Sequence, residues 1–207
     1  MTSKYTRTIN KEVEKSNFWP TFTDLICSVL MVVMLLLFSV ESMKGAVLSD
    51  LAEKITNSVK ENIDINELDV RIDQTNGMVT FGESTMFDLD SAELKEEAKI
   101  LLDEFIPIYV DTLYKDYGDN IEKIVIKGHT DDSGSYLYNL DLSQQRALSF
   151  AKYIVSDEIG DYKYKERVLL DIEAIGRSEA ELIKYEDGTI NKGASRRVEI
   201  KYELDVD

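Results

Sequence analysis

From Leu25 to Val40 the chain carries no charge, and with Trp19 and Phe22 in front the apolar run approaches the roughly 20 residues that a helix needs to cross a bilayer. The pattern then changes. Leu48, Leu51, Ile55 and Val59 recur at intervals of three and four among Asp50, Glu53, Lys54 and Lys60, which predicts an amphipathic helix continuing from the apolar segment. Leu68, Val70 and Ile72 alternate with polar residues, Asn76-Gly77 suits a type I′ turn, and Met78 to Phe81 resumes a strand, so a hairpin is expected. Ser91 reads as the N-cap of a helix with Leu94, Ala98, Leu101, Leu102 and Phe105 inward, kinked or interrupted at Pro107 and ending by Gly118. Ile124 to Ile126 form a short buried strand, and Leu142 to Ser156 a second helix with Ala147, Leu148, Ala151 and Ile154 on or near its core side. Arg167 to Ile175 and Arg196 to Leu204 read as closing strands, the last alternating Val198, Ile200 and Tyr202. The sum is an α/β sandwich with helices on one face of a mixed sheet.

Four segments follow: a polar tail over 1–17, flexible or only locally helical; a transmembrane helix over 18–42; an amphipathic linker helix over 43–66; and a folded domain over 67–207. Trp19 and Pro20 suit an interfacial anchor and a first-turn proline, which starts the membrane helix near Pro20 and puts Asp24 about one turn inside. A mid-helix acid costs about 2.5 to 3.5 kcal/mol, less near an end, so such residues face protein or water and mark ion pathways. Thr21, Asp24 and Ser28 share one helical face, a narrow polar stripe suited to ion or proton passage under a partner helix. The alternative is a helix-start acid that snorkels into cytosolic water. Lys4, Arg7, Lys11 and Lys15 also precede signal peptides, but the apolar core outruns a signal's limit of about fifteen residues, and no A-x-A-like site follows at Glu41 to Ala46. Those four basic residues outnumber Lys44 and Lys54 beyond the span, which places the N-terminus in the cytoplasm and the domain outside, on a single-pass membrane anchor.

The formal net charge of −16 argues against nucleic acid or anionic lipid as the main partner. The single cysteine, Cys27, lies in the span, so there is no disulfide framework. With one histidine, no Gly-rich phosphate loop and no nucleophile motif, the chain reads as no enzyme, with no metal and no cofactor.

Gly128 to Arg146 reads GHTDDSGSYLYNLDLSQQR, a loop leaving a buried strand for a helix. It resembles the signature of OmpA-like peptidoglycan-binding domains, G-[HY]-T-D-x-x-G, then Y-N, then L-S-x-x-R-A. The matching residues are Gly128, His129, Thr130, Asp131, Gly134, Tyr138, Asn139, Leu142, Ser143, Arg146 and Ala147. Phe87 to Ala92 and Ser195 to Ile200 resemble the family's approach to its first helix and its closing strand, so the likeness runs from Leu68 to Tyr202. It implies that Asp131 and Arg146 hold the ammonium and carboxylate of diaminopimelate in wall peptides, supported by Asn139, Leu142 and the backbone around Thr130. A loop folding back onto the helix could place the two side by side; the alternative is an Asp131 to Arg146 salt bridge that only staples loop to helix. His129 reads as a loop-anchoring residue. Ala174 to Ala180, and Ser195 where Asn is common, depart from the family pattern and leave the local loop geometry open.

The span opens on F-W-x-x-F-x-D-L, from Phe18 to Leu25. Joined to an OmpA-like domain, this is similar to the MotB family of flagellar stators and to the B subunits of Zorya anti-phage motors. That resemblance implies that Asp24 carries the ion, proton or sodium, and that two copies of the chain sit as a homodimer inside a pentamer of multi-span MotA-like subunits. From Val40 to Leu68 the tether spans about 42 Å as helix and about 100 Å extended, shorter than flagellar tethers generally are, which tilts the reading to a non-flagellar, defence-type motor. Leu48 to Val59 could serve as channel plug or dimer stalk, or pack on its own domain. The alternatives are a passive membrane-tethered wall-binding protein and an energy-transducing subunit akin to TolR or ExbD.

Overall fold

Pro20 does not start the first helix. In the computed structural model, which describes residues 3–62, 70–73 and 76–205, helix α1 (Ser3–Asn62) runs through it. The tail around Lys11, Glu12, Glu14 and Lys15 is rich in good helix formers, enough to carry the helix past a proline. Leu68, expected in the first strand, lies outside the described residues, as do the side chains of Thr21 and Leu48.

The chain divides into two units, Met1–Val47 and Leu48–Asp207. The stretch Phe22–Glu61 of α1, which begins in the first unit and runs on into the second, is long and apolar enough by length and composition to cross a membrane, and none of its most apolar window is buried. Val29, Met34, Leu36 and Phe38 are all exposed, so this apolar segment is not a buried core helix of the chain.

The second unit is built on a five-stranded sheet ordered β1-β2-β5-β3-β4. Strands β1 (Val70–Ile72) and β2 (Val79–Gly82) form the expected hairpin, with Gly77 at positive φ in the turn. β5 (Arg197–Leu204) lies antiparallel between β2 and β3 (Ile121–His129), and β4 (Ile172–Gly176) adds to β3 in parallel. The mixed α/β sheet is as expected, with its core on one face: Phe81 stacks edge-on to Phe105 of α3 (Glu96–Tyr117) and tilts against Phe150 of α4 (Tyr136–Val155).

Several boundaries differ, each for a local reason. Ser91 does not cap α3; Leu94 is held by a bridge to Phe87 and the Lys95 amide by the Met86 carbonyl, so the helix begins only afterwards. The short α2 (Glu83–Met86) precedes this bridge, directly after β2. Pro107 sits inside an unbroken α3, where buried Phe105, Ile106, Tyr109 and Val110 offset the roughly 3 kcal/mol a mid-helix proline costs. α4 starts at Tyr136 because Ser135 caps it, accepting from the Tyr138 amide, and Leu148 on that helix faces solvent. The expected strand from Arg167 is instead helix α5 (Lys165–Asp171), braced by the Arg167–Asp171 pair one turn apart, and β4 follows.

The end of α1 also belongs to this unit. Ile55 and Val59 are fully buried in the core, and Tyr202 of β5 donates to the Ala52 carbonyl at 3.2 Å. Of the roles open for this stretch, packing on its own domain is the one the structure displays.

Candidate functional site

Two glycines set the site's foundation. A Cβ on Gly128 would lie 2.1 Å from the Ser143 carbonyl oxygen, and one on Gly176 2.5 Å from the Gln144 amide nitrogen, so α4 sits directly on the backbones of β3 and β4. Gln144 completes the seat, donating to the Ala174 carbonyl and accepting from the Gly176 amide. Ser143 accepts from the Ser178 amide, and the Ser178 carbonyl takes the Thr130 amide, which closes the loop after β4 over the end of β3.

On this base the loop after β3 presents Asp131, 5% exposed, and α4 presents Arg146, 2% exposed. They are not paired with each other. Asp131 Oδ1 accepts from the Ser133 amide at 2.8 Å, and Oδ2 from Arg196 Nη1 at 2.5 Å. Burial pushes the Asp131 carboxyl up, but the Ser133 amide and Arg196 outweigh it and hold the group below its ordinary value. Arg146 donates Nε to the Ser91 carbonyl at 2.8 Å, lies over the Phe87 ring, and pairs with Glu83 through Nη2. Glu83 also pairs with Arg196 Nε. These two Glu83 contacts are close in charge but misaligned, since neither Arg146 Nη2 nor Arg196 Nε meets hydrogen-bond geometry. The charges thus alternate in a row, Asp131, Arg196, Glu83, Arg146, in place of the single pair considered from sequence.

The supporting residues fall as follows. Asn139 donates to the Asp131 carbonyl at 3.1 Å and to Glu179 at 2.5 Å, fixing the loop to α4. Thr130 is buried with its hydroxyl unpartnered, and Leu142 is half-buried on α4. His129 ends β3 directly before the loop, buried beside Glu199 at 3.2 Å. With Glu181 it forms a group of metal-ligating type, but Arg177 and Arg197 already neutralise the two carboxylates. Ser195, the departure from the common Asn, bonds both the amide and the carbonyl of Ile183. Glu83 and the role of Arg196 escaped the sequence reading. Arg196 stood in view within the closing-strand motif, whereas Glu83 carries no local signal. Beside Ser91 opens a groove of about 730 Å³, lined by Ser84, Thr85, Asp88, Ser91, Glu93 and Lys95 among others.

A match to the OmpA family spans residues 86–196, more than half of the chain and all of the loop and helix just described. The chain belongs to the OmpA family. The likeness reaches beyond the OmpA domain in one relative: Zorya protein ZorB of Escherichia coli (strain ATCC 8739) is 27% identical over 92% of this chain and 89% of the relative. Outer membrane protein A of Bordetella avium is 36% identical over 39% of this chain and 38% of its own length, a likeness restricted to the OmpA domain. Among solved structures, the cell wall anchor of the T6SS from Pseudomonas aeruginosa is 22% identical over 74% of this chain and 99% of that one, with a TM-score of 0.48. The periplasmic domain of Helicobacter pylori MotB is 15% identical over 62% of this chain and 76% of that one, with a TM-score of 0.46. The proteins it is similar to are structural or stator proteins rather than enzymes, and the chain is no enzyme.

Ahead of the OmpA domain, Asp24 and Ser28 lie one turn apart on α1, both exposed, with the Ser28 hydroxyl donating to the Leu25 carbonyl at 2.8 Å. Thr21 is helical, its side chain outside those described.

Proposed function

We propose that this chain is the wall-anchored B subunit of an ion-driven membrane motor, of the defence type rather than the flagellar one. The observation that carries the reading is the likeness to ZorB over both the apolar helix and the OmpA domain. In this reading α1 crosses the inner membrane with its N-terminus in the cytoplasm, and the domain from Leu48 onward lies outside. Asp24, flanked by Thr21 and Ser28, takes and releases the ion against a ring of multi-span MotA-like subunits, five of them around two copies of this chain. One charge crossing about 100 mV yields only about 2.3 kcal/mol, so the motor steps repeatedly. The OmpA domain holds peptidoglycan through Asp131 and Arg146, with Asn139, Thr130 and Leu142 supporting them, and so gives the rotation a fixed support.

Native mass spectrometry of the chain co-expressed with its genomic neighbours tests this. Two copies with five of a multi-span partner are expected; a lone monomer or homodimer would leave a passive wall tether and remove the channel from the account.

A further inference from the structure

The order of charges in the site is that of a ligand already bound. Asp131, read as the seat of an ammonium, holds the Arg196 guanidinium, and Arg146, read as the seat of a carboxylate, holds Glu83. Glu83 and Arg196 also pair with each other. We propose that Glu83 and Arg196 form an internal surrogate of the zwitterionic ligand, a latch that keeps the site closed until a ligand bearing both an ammonium and a carboxylate displaces it. The inference rests on the reading of Asp131 and Arg146 as the ligand pair.

Three features carry it. Asp131 and Arg146 are too buried to meet a ligand as they stand, whereas the Arg196 side chain is 36% exposed and is the one free to swing out. The backbones need not move, because the Glu83 amide donates to the Arg196 carbonyl at 3.1 Å and keeps the two positions adjacent in either state. The misaligned contact at Arg146 Nη2 leaves a donor that a well-placed carboxylate would satisfy better.

The latch also selects. When a zwitterion enters, Glu83 and Arg196 leave as a pair and every charge keeps a partner. A ligand with one charge strands either Glu83 or Arg196 in a half-buried site, which is costly. Diaminopimelate with a free amino acid centre is therefore favoured over a simple carboxylate chain end.

Calorimetric titration of meso-diaminopimelate into the full chain in detergent tests the latch, with pimelate, which lacks the ammonium groups, as the control probe. A latch closed about nine-tenths of the time weakens binding about tenfold, so the double variant Glu83→Gln with Arg196→Gln, which removes the latch and strands neither of its charges, is expected to bind diaminopimelate about tenfold tighter than the parent chain. Glu83→Gln and Arg196→Gln alone are each expected to gain less than tenfold, since each leaves one latch charge without its partner, and they serve should the double variant fail to fold, as judged by circular dichroism. Pimelate is expected to bind the parent chain more weakly than diaminopimelate does. If the double variant binds no better than the parent while Arg146→Ala abolishes binding, the latch is overturned and the site stands. If Asp131→Ala and Arg146→Ala bind as the parent does, or nothing binds at all, the site reading itself falls and the latch with it.

Discussion

At Gly128 a single methyl group decides whether α4 can sit where it does. Gly128→Ala would meet the Ser143 carbonyl oxygen, an immovable backbone atom, and is expected to cost about 1 to 3 kcal/mol, seen as a lower urea midpoint. Arg146→Ala is expected to abolish sedimentation with purified peptidoglycan while the fold persists; undiminished sedimentation would remove Arg146 from the site. The residues of this site were legible because the signature keeps them at fixed spacing from Gly128 to Arg146. Their partners were not. Glu83 and Arg196 come from the two edges of the domain sequence, and charge pairing between such distant side chains leaves no period or motif along the chain.

Elements with one clean apolar stripe were read well, and α3 is the example, with Leu94 before it and Ala98, Leu101, Leu102 and Phe105 all buried as their spacing required. α5 was misread because Val168, Leu169, Leu170 and Ile172 suit either a strand or a short helix, and only Val168 is fully buried. The stripe at Leu51, Ile55 and Val59 was seen, but not what it covers. Its place in the core makes Ile55→Ala destabilising by about 2 to 5 kcal/mol in urea unfolding, whereas a stretch held only by a partner chain would leave the domain's stability unchanged. β5 carries a pH dependence of its own. Burial pushes Glu199 up, but His129 and Arg197 outweigh it and hold its carboxyl at about 2, against 4.5 unfolded. A depressed carboxylate contributes its full stability above pH 4.5 and loses it as pH falls toward 2. Urea midpoints across that window should fall with acid, and Glu199→Gln should flatten the slope; an equal slope in the variant would assign the loss to other groups.

The whole chain joins an apolar helix to a strongly acidic domain, and each end can be disabled separately. Asp24→Asn is expected to abolish motor function in an infection assay while sedimentation with peptidoglycan is unchanged. Retained protection would make Asp24 an interfacial acid and the protein a tether. The apolar helix and the OmpA domain were both visible from sequence because a long uncharged run and a motif of fixed spacing each impose a long pattern. The division at Leu48 was not, since the helix continues across it without any break in local propensity.

The antiparallel ladder between β5 and β3 acquires a mechanical meaning from where its ends are tied. Thr56 and Ala52 meet Tyr202, which faces Ile124, while Val198 faces Gly128 beneath α4 and Arg146. A domain held at Arg146 and pulled through α1 would feel tension along those two strands, loading their hydrogen bonds in shear and together rather than peeling them one by one. That geometry suits a part that must not yield while something beside it turns.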